Sequence, residues 1–137
     1  MKYPRYMKGP LEEALADTPV VLIHGPRQSG KTTLAIDVGG TKYSYVTFDE
    51  DAVLAAARND PRGFIEDLPP YCILDEIQRI PELFTSIKLS VDKDRRPGRF
   101  LLTGSANILL LPQLSDTLAG RMEVIQLRPL SQAEIDG

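Results

Sequence analysis

Eight consecutive residues, Gly25-Pro26-Arg27-Gln28-Ser29-Gly30-Lys31-Thr32, have the types and spacing of G-x-x-x-x-G-K-[ST]. In that pattern the glycines let the backbone curl so that successive N–H groups converge on phosphate oxygens. A helix starting near Lys31 adds its positive end to the same point. Lys31 is then placed to reach β- and γ-phosphates, and the Thr32 hydroxyl to ligate Mg²⁺. Ser29 and Thr33 read as secondary contacts. Further along, Tyr71-Cys72-Ile73-Leu74-Asp75-Glu76 is an apolar run closed by two carboxylates. On its own that is a weak signal, because acids collect at helix N-termini. Paired with the loop it suggests that Asp75 holds Mg²⁺ through its water shell and that Glu76 orients and deprotonates a water.

Two further places carry polar groups where chemistry needs them. Phe100-Leu101-Leu102-Thr103-Gly104-Ser105-Ala106-Asn107 is a second apolar run with a polar tip. Ser105 and Asn107 are candidates to touch the γ-phosphate or the attacking water, with Thr103 third; the plainer reading is a turn with Asn107 as a helix cap. Gly120-Arg121 precedes the last apolar run, where a guanidinium can reach a nucleotide on a neighbouring subunit. The plainer reading there is a surface arginine.

Elements able to position these residues follow from the hydrophobic pattern. Val20 to Ile23 are consecutive apolar residues, the mark of a strand covered on both faces. Further strands are expected over Tyr43–Phe48, Tyr71–Leu74, Arg99–Thr103 and Met122–Leu127. Between them lie helical patterns: Lys31–Val38 stopped by Gly39-Gly40, Glu50–Arg58 capped by Asp49, and Asp60-Pro61 to Asp67. A helix opened by Pro81 presents Leu83, Phe84, Ile87 and Val91 on one side, and a mostly helical stretch covers Asn107–Leu118. Leu11–Asp17 reads as a short helix, after an opening that Pro4, Gly9 and Pro10 keep irregular. Strands alternating with helices give a parallel sheet covered by helices, an α/β three-layer domain.

Composition bounds the function classes. The 137 residues suit one domain, read as an N-terminal segment over residues 1–17 and a core over residues 18–137. A hydrophobic share of 42% with 26% charged residues excludes a fibre, a disordered tail or a membrane span. The net charge of -3 argues against a general nucleic-acid coat. The basic cluster Lys93, Arg95, Arg96 and Arg99 reads as a solvated turn. A lone cysteine, Cys72, and a lone histidine, His24, exclude an intrachain disulfide and a cysteine- or histidine-built metal site; both read as packing residues. The opening residues hold no apolar run, so the expected location is cytoplasmic. Ser131-Gln132-Ala133-Glu134 is a capping box with less than a helical turn after it, which leads us to expect a longer protein.

Together, GPRQSGKTTLA, CILDEIQRIPELF, GRFLLTGSAN, LAGR ahead of an apolar strand, and PLSQAE resemble a group of prokaryotic AAA-type ATP-binding proteins. The likeness runs in order from about Thr18 to Glu134. It implies a RecA-like P-loop NTPase core with five parallel strands in the order 5-1-4-3-2 and an ATP·Mg²⁺ site. Asp75 and Glu76 would be the Walker B pair, and Ser105 to Asn107 would stand at the sensor position. Arg121 would stand where such proteins often carry an arginine finger, which implies a homo-oligomer. Proteins of this type usually continue into further helices and a C-terminal domain, which would be a partner of this core. The expected activity is hydrolysis of ATP to ADP and phosphate, driving conformational change. One alternative is a nucleotide-binding switch with negligible turnover. A small-molecule kinase fits less well, since little chain is left for a lid and an acceptor pocket. Nothing indicates nucleic acid as a partner.

Overall fold

The computed structural model describes residues 5–26, 29–105 and 107–127. Its strands are β1 (Val20–His24), β2 (Ser44–Thr47), β3 (Cys72–Asp75), β4 (Phe100–Gly104) and β5 (Met122–Gln126). They form one five-stranded sheet in the order β2-β3-β4-β1-β5, paired in parallel throughout. This is the order 5-1-4-3-2 read from the other edge. The helices are α1 (Lys8–Asp17), α2 (Lys31–Gly39), α3 (Asp51–Asn59), α4 (Pro61–Glu66), α5 (Leu83–Lys93) and α6 (Pro112–Leu118).

Side chains alternate across the sheet, and each face has its own cover. Val20, Leu22, Cys72, Leu74, Phe100 and Leu102 share one core with Leu54, Leu83, Phe84 and Ile87 from α3 and α5. Val21, Ile23, Ile73 and Leu101 share the other with Leu11 and Ala14 of α1 and Leu34 and Ala35 of α2. Because β1, β3 and β4 are buried on both faces, they read as unbroken apolar runs. The α/β three-layer architecture is as the pattern predicts.

The structure departs from the sequence expectation in three local details. First, α1 starts at Lys8 and includes Gly9 and Pro10. Proline is tolerated there because amides of a first helical turn have no intrahelical acceptor to lose. Second, Asp49 does not cap α3; Glu50 holds that position without a side-chain bond, and Asp49 instead pairs with Arg79 at 3.0 Å. Asp60 does cap, its Oδ1 accepting from the Gly63 N–H at 3.1 Å to open α4. Third, the stretch after β4 is a 3₁₀ turn over Ile108–Leu110 followed by α6, which begins at Pro112 because proline can open a helix and cannot continue one.

Three of the basic cluster pair with acids: Arg96 to Asp94 at 2.6 Å, Arg95 to Asp92 at 3.8 Å and Lys93 to Glu66 at 3.8 Å. Arg99, by contrast, is half-buried, not solvated, and donates to the Ser90 hydroxyl and the Ser90 and Asp94 carbonyls. Among the described residues no helix is long and apolar enough to cross a membrane. The capping box Ser131–Glu134 lies outside the described residues. Cys72 is fully buried in β3, and burial pushes its thiol up to about 12. A thiolate is the reactive form. The folded chain is therefore expected to leave a thiol reagent unconsumed at neutral pH and to react with one equivalent once denatured; rapid labelling of the folded chain would contradict this packing.

Candidate functional site

Parallel pairing brings the carboxyl ends of all strands to one edge of the sheet, and register decides which side chains meet there. Thr47 stands opposite Asp75, and His24 opposite Gly104. Asp75 points to the same face as Ile73, two residues back, and by the same period Tyr45, Thr47 and Thr103 point to that face too. The first turn of α2 lies over it. The result is a carboxylate, only 4% exposed, with hydroxyl groups around it. Its Oδ1 accepts from Thr32 at 2.8 Å and Thr103 at 2.6 Å, and its Oδ2 from Tyr45 and Thr47 at 2.9 Å each. An ionised carboxylate offers about four acceptor positions, so this set saturates Asp75. Burial and the hydrogen bond to Asp75 push the Tyr45 hydroxyl up to about 12, which keeps it a donor.

The glycine-rich loop is held from both ends. Gly30 takes a φ of 83° at the N-cap of α2, a conformation that favours glycine. A Cβ at Gly25 would lie 2.5 Å from the Leu127 carbonyl oxygen and 2.9 Å from Ser29 Oγ, so only glycine fits between β1 and the chain leaving β5. Ser29 is buried and closes the loop on itself, donating to the Pro26 carbonyl from its amide at 3.1 Å and its hydroxyl at 2.8 Å. Leu34 is the residue whose amide closes on Gly30, at 2.9 Å. The amides of Lys31, Thr32 and Thr33 therefore belong to the first turn, where the helix offers no acceptors. Thr33 is exposed on that turn, and Pro26 has no amide hydrogen. Arg27 and Gln28 lie outside the described residues.

Lys31 is buried, and its Nζ stands 3.5 Å from Glu76 Oε1. Glu76 is the one non-glycine residue with positive φ among those described, at 59°. Its amide donates to Thr103 Oγ1 at 3.0 Å, so Thr103 links the two acids. Glu76 Oε1 is buried and makes no hydrogen bond. Beside it opens a cavity of about 450 Å³ lined by Lys31, Asp49, Glu76, Gln78, Arg79 and Ser105.

Ser105 thus reaches the cavity, whereas Asn107 is exposed at the head of the 3₁₀ turn and does not line it. Arg121 sits at the start of β5, the other end of the sheet from the loop, a strand of five residues or about 16 Å away. There its guanidinium grips Asp92 through two bonds, at 2.7 and 3.1 Å. His24 is buried with its Nδ1 unbonded, and burial lowers its pKa, so it is a neutral packing residue. Gln78, Arg79, Tyr45 and Thr47 are not singled out by the sequence, and Asp49 reads there only as a helix cap. The glutamine of DEIQ was the available signal for Gln78; Tyr45 and Thr47 arrive through strand register, and Asp49 and Arg79 through their ion pair.

These residues fit a phosphate ligand with Mg²⁺. Magnesium takes one or two carboxylates and the substrate's phosphates while keeping several waters. The Thr32 hydroxyl gives its proton to Asp75 and so turns its oxygen outward as a ligand, the Asp75 carboxylate stands behind it as charge, and Glu76 Oε1 is a buried acceptor left over beside them.

Comparison with known proteins bears on the family and the fold. A family profile described as AAA domain matches residues 17–136. Uncharacterized proteins of Mycobacterium bovis and Mycobacterium tuberculosis are each 42% identical over 126 residues, covering 91% of this chain and 28% of the relative. The chain therefore spans well under half the length of these relatives. A solved structure described as a DNA replication initiation factor superposes with a TM-score of 0.66 at 16% identity, covering 96% of this chain and 46% of that one. It shares the fold.

Proposed function

This chain belongs to the AAA domain family, and from that premise we propose that it binds ATP with Mg²⁺ and hydrolyses it to ADP and phosphate. The ATPase-type nucleotide-binding fold is the scaffold. The observation that carries the reading is the joining of Thr32, Asp75, Thr103 and Glu76 into one bonded set directly beside Lys31.

Amides at the head of α2 and the Lys31 ammonium bind the β- and γ-phosphates. Thr32 would hold the metal through its hydroxyl oxygen, and Asp75, whose acceptor positions are filled, would steady it by charge and by fixing Thr32; the metal would supply positive charge to the phosphate oxygens. Once Lys31 turns to phosphate, Glu76 Oε1 is free to accept a proton. The attacking water then forms its bond to the γ-phosphorus while its proton passes to Glu76. The bond from that phosphorus to the bridging oxygen breaks, and the electron pair leaves on ADP. Ser105, on the cavity wall, is placed to contact the γ-phosphate side; Asn107 stands exposed before its turn and makes no side-chain capping bond. Arg121 cannot reach its own chain's loop, so any part it plays in phosphoryl transfer is on a neighbouring copy.

A second reading, a switch that binds ATP with negligible turnover, is favoured by the Lys31–Glu76 ion pair itself, because a base held by the lysine does not act on water. Phosphate release separates the two. Steady Mg²⁺-dependent release from ATP supports the enzyme; tight binding with none supports the switch.

A further inference from the structure

The proposed reaction needs the Glu76 carboxylate held in one orientation after Lys31 leaves it, whereas the bonds from its amide to Thr103 Oγ1 and to its carbonyl from the Arg79 N–H fix only its main chain. We propose that Gln78 is the positioning residue that fixes the Glu76 carboxylate and ties it to the loop after β4. This rests on the hydrolytic reading of the site. Gln78 Nε2 stands 3.4 Å from Glu76 Oε2, and Gln78 Oε1 accepts the Ser105 N–H at 3.2 Å. The amide's orientation is set by chemistry: a backbone N–H can only donate and a carboxylate can only accept, so oxygen must face Ser105 and nitrogen must face Glu76.

Gln78 is itself held firmly. It belongs to a 3₁₀ turn, Ile77–Arg79, whose Ile77 and the following Ile80 are both fully buried. The neighbouring Arg79 pairs with Asp49, and its carbonyl accepts from Arg58 at 3.2 Å. On the far side a Cβ at Gly104 would meet Ile108 Cδ1 at 2.5 Å and Gln78 Oε1 at 3.3 Å, so glycine there lets Ile108 and the glutamine both pack close. One carboxylate oxygen of Glu76 is thus anchored by Gln78 while the other faces Lys31. Exchange of Lys31 for a water at Oε1 leaves the anchor in place. Because the same glutamine binds the Ser105 amide, movement of that loop is transmitted to the base.

Two variants divide the contacts. Gln78→Glu keeps an acceptor for Ser105 and sets a second carboxylate against Glu76; Gln78→Leu removes both bonds. Both are expected to bind ATP·Mg²⁺ within about threefold of the parent and to lose about tenfold to a hundredfold in kcat, the range for a misplaced reacting group. In a Glu76→Gln background, Gln78→Glu, which keeps the acceptor for Ser105, should lower the residual rate no further, since its effect runs through the Glu76 carboxylate. A second readout does not need turnover: Glu76→Gln should move the amide NMR resonance of Ser105 when Gln78 is present, and not when it is leucine. A parent without phosphate release would sink the hydrolytic reading, and the resonance would then decide the glutamine's role by itself. A Gln78→Leu rate within twofold of the parent, or a Ser105 resonance indifferent to Glu76 in the parent, would overturn the proposal.

Discussion

Glu76→Gln is expected to lower phosphate release by about 100-fold or more, the span usual for removing a general base, while ATP is still bound. The amide is nearly isosteric and cannot take a proton from water at neutral pH. It also removes the ion pair with Lys31, which frees the ammonium for phosphate. ATP affinity should therefore stay level or rise. That pairing of effects, with kcat lost and binding kept, marks an interaction that matters in the transition state. It is checked by phosphate release alongside equilibrium titration with ATP·Mg²⁺. A variant that turns over like the parent would remove Glu76 from the chemistry.

Asp75 carries the second large effect, and two substitutions there should part company. Asp75→Ala strips the acceptor from the hydroxyls of Thr32, Thr103, Tyr45 and Thr47. Thr103 is wholly buried and cannot turn to water. The expected loss of stability is about 3 kcal/mol, the upper end for leaving a buried polar group unpaired. Asp75→Asn should cost about 1 kcal/mol or less. Its oxygen keeps Thr32 and Thr103, and its nitrogen faces Tyr45 and Thr47, whose oxygens can accept. Both variants lose the charge that steadies the metal, so both should lose Mg²⁺-dependent phosphate release. Denaturant unfolding and phosphate release together check this; a stable Asp75→Ala chain would contradict the hydroxyl cluster, and an active Asp75→Asn chain the metal role.

The sequence reading reached furthest where one local pattern sufficed. The glycine loop and the buried runs of β1, β3 and β4 need no partner to be read, because a strand covered on both faces is apolar at every position. From those came the layered sheet and the meeting of Lys31, Thr32, Asp75 and Glu76 at one edge. What escaped depends on register. Tyr45 and Thr47 bind Asp75 because Thr47 pairs with it across β2 and β3, and no spacing within either strand announces that. Asp49 looked like a helix cap because an acid before a helix usually is one; a distant arginine, Arg79, claims it instead. Ser105 and Asn107 were indistinguishable as polar residues at a strand tip until the turn at Ile108 sent Asn107 outward.

The claim on which all of this stands is that the loop beside Lys31 binds ATP. The direct measurement is the thermal unfolding midpoint with and without ATP·Mg²⁺, taken on this chain and on Lys31→Ala. ATP at about 100 times its dissociation constant adds roughly 2.7 kcal/mol to the folded state, several degrees for a domain of this size. A rise in the parent that is absent in Lys31→Ala is the predicted result. An equal rise in both chains, or none in the parent, would contradict the account.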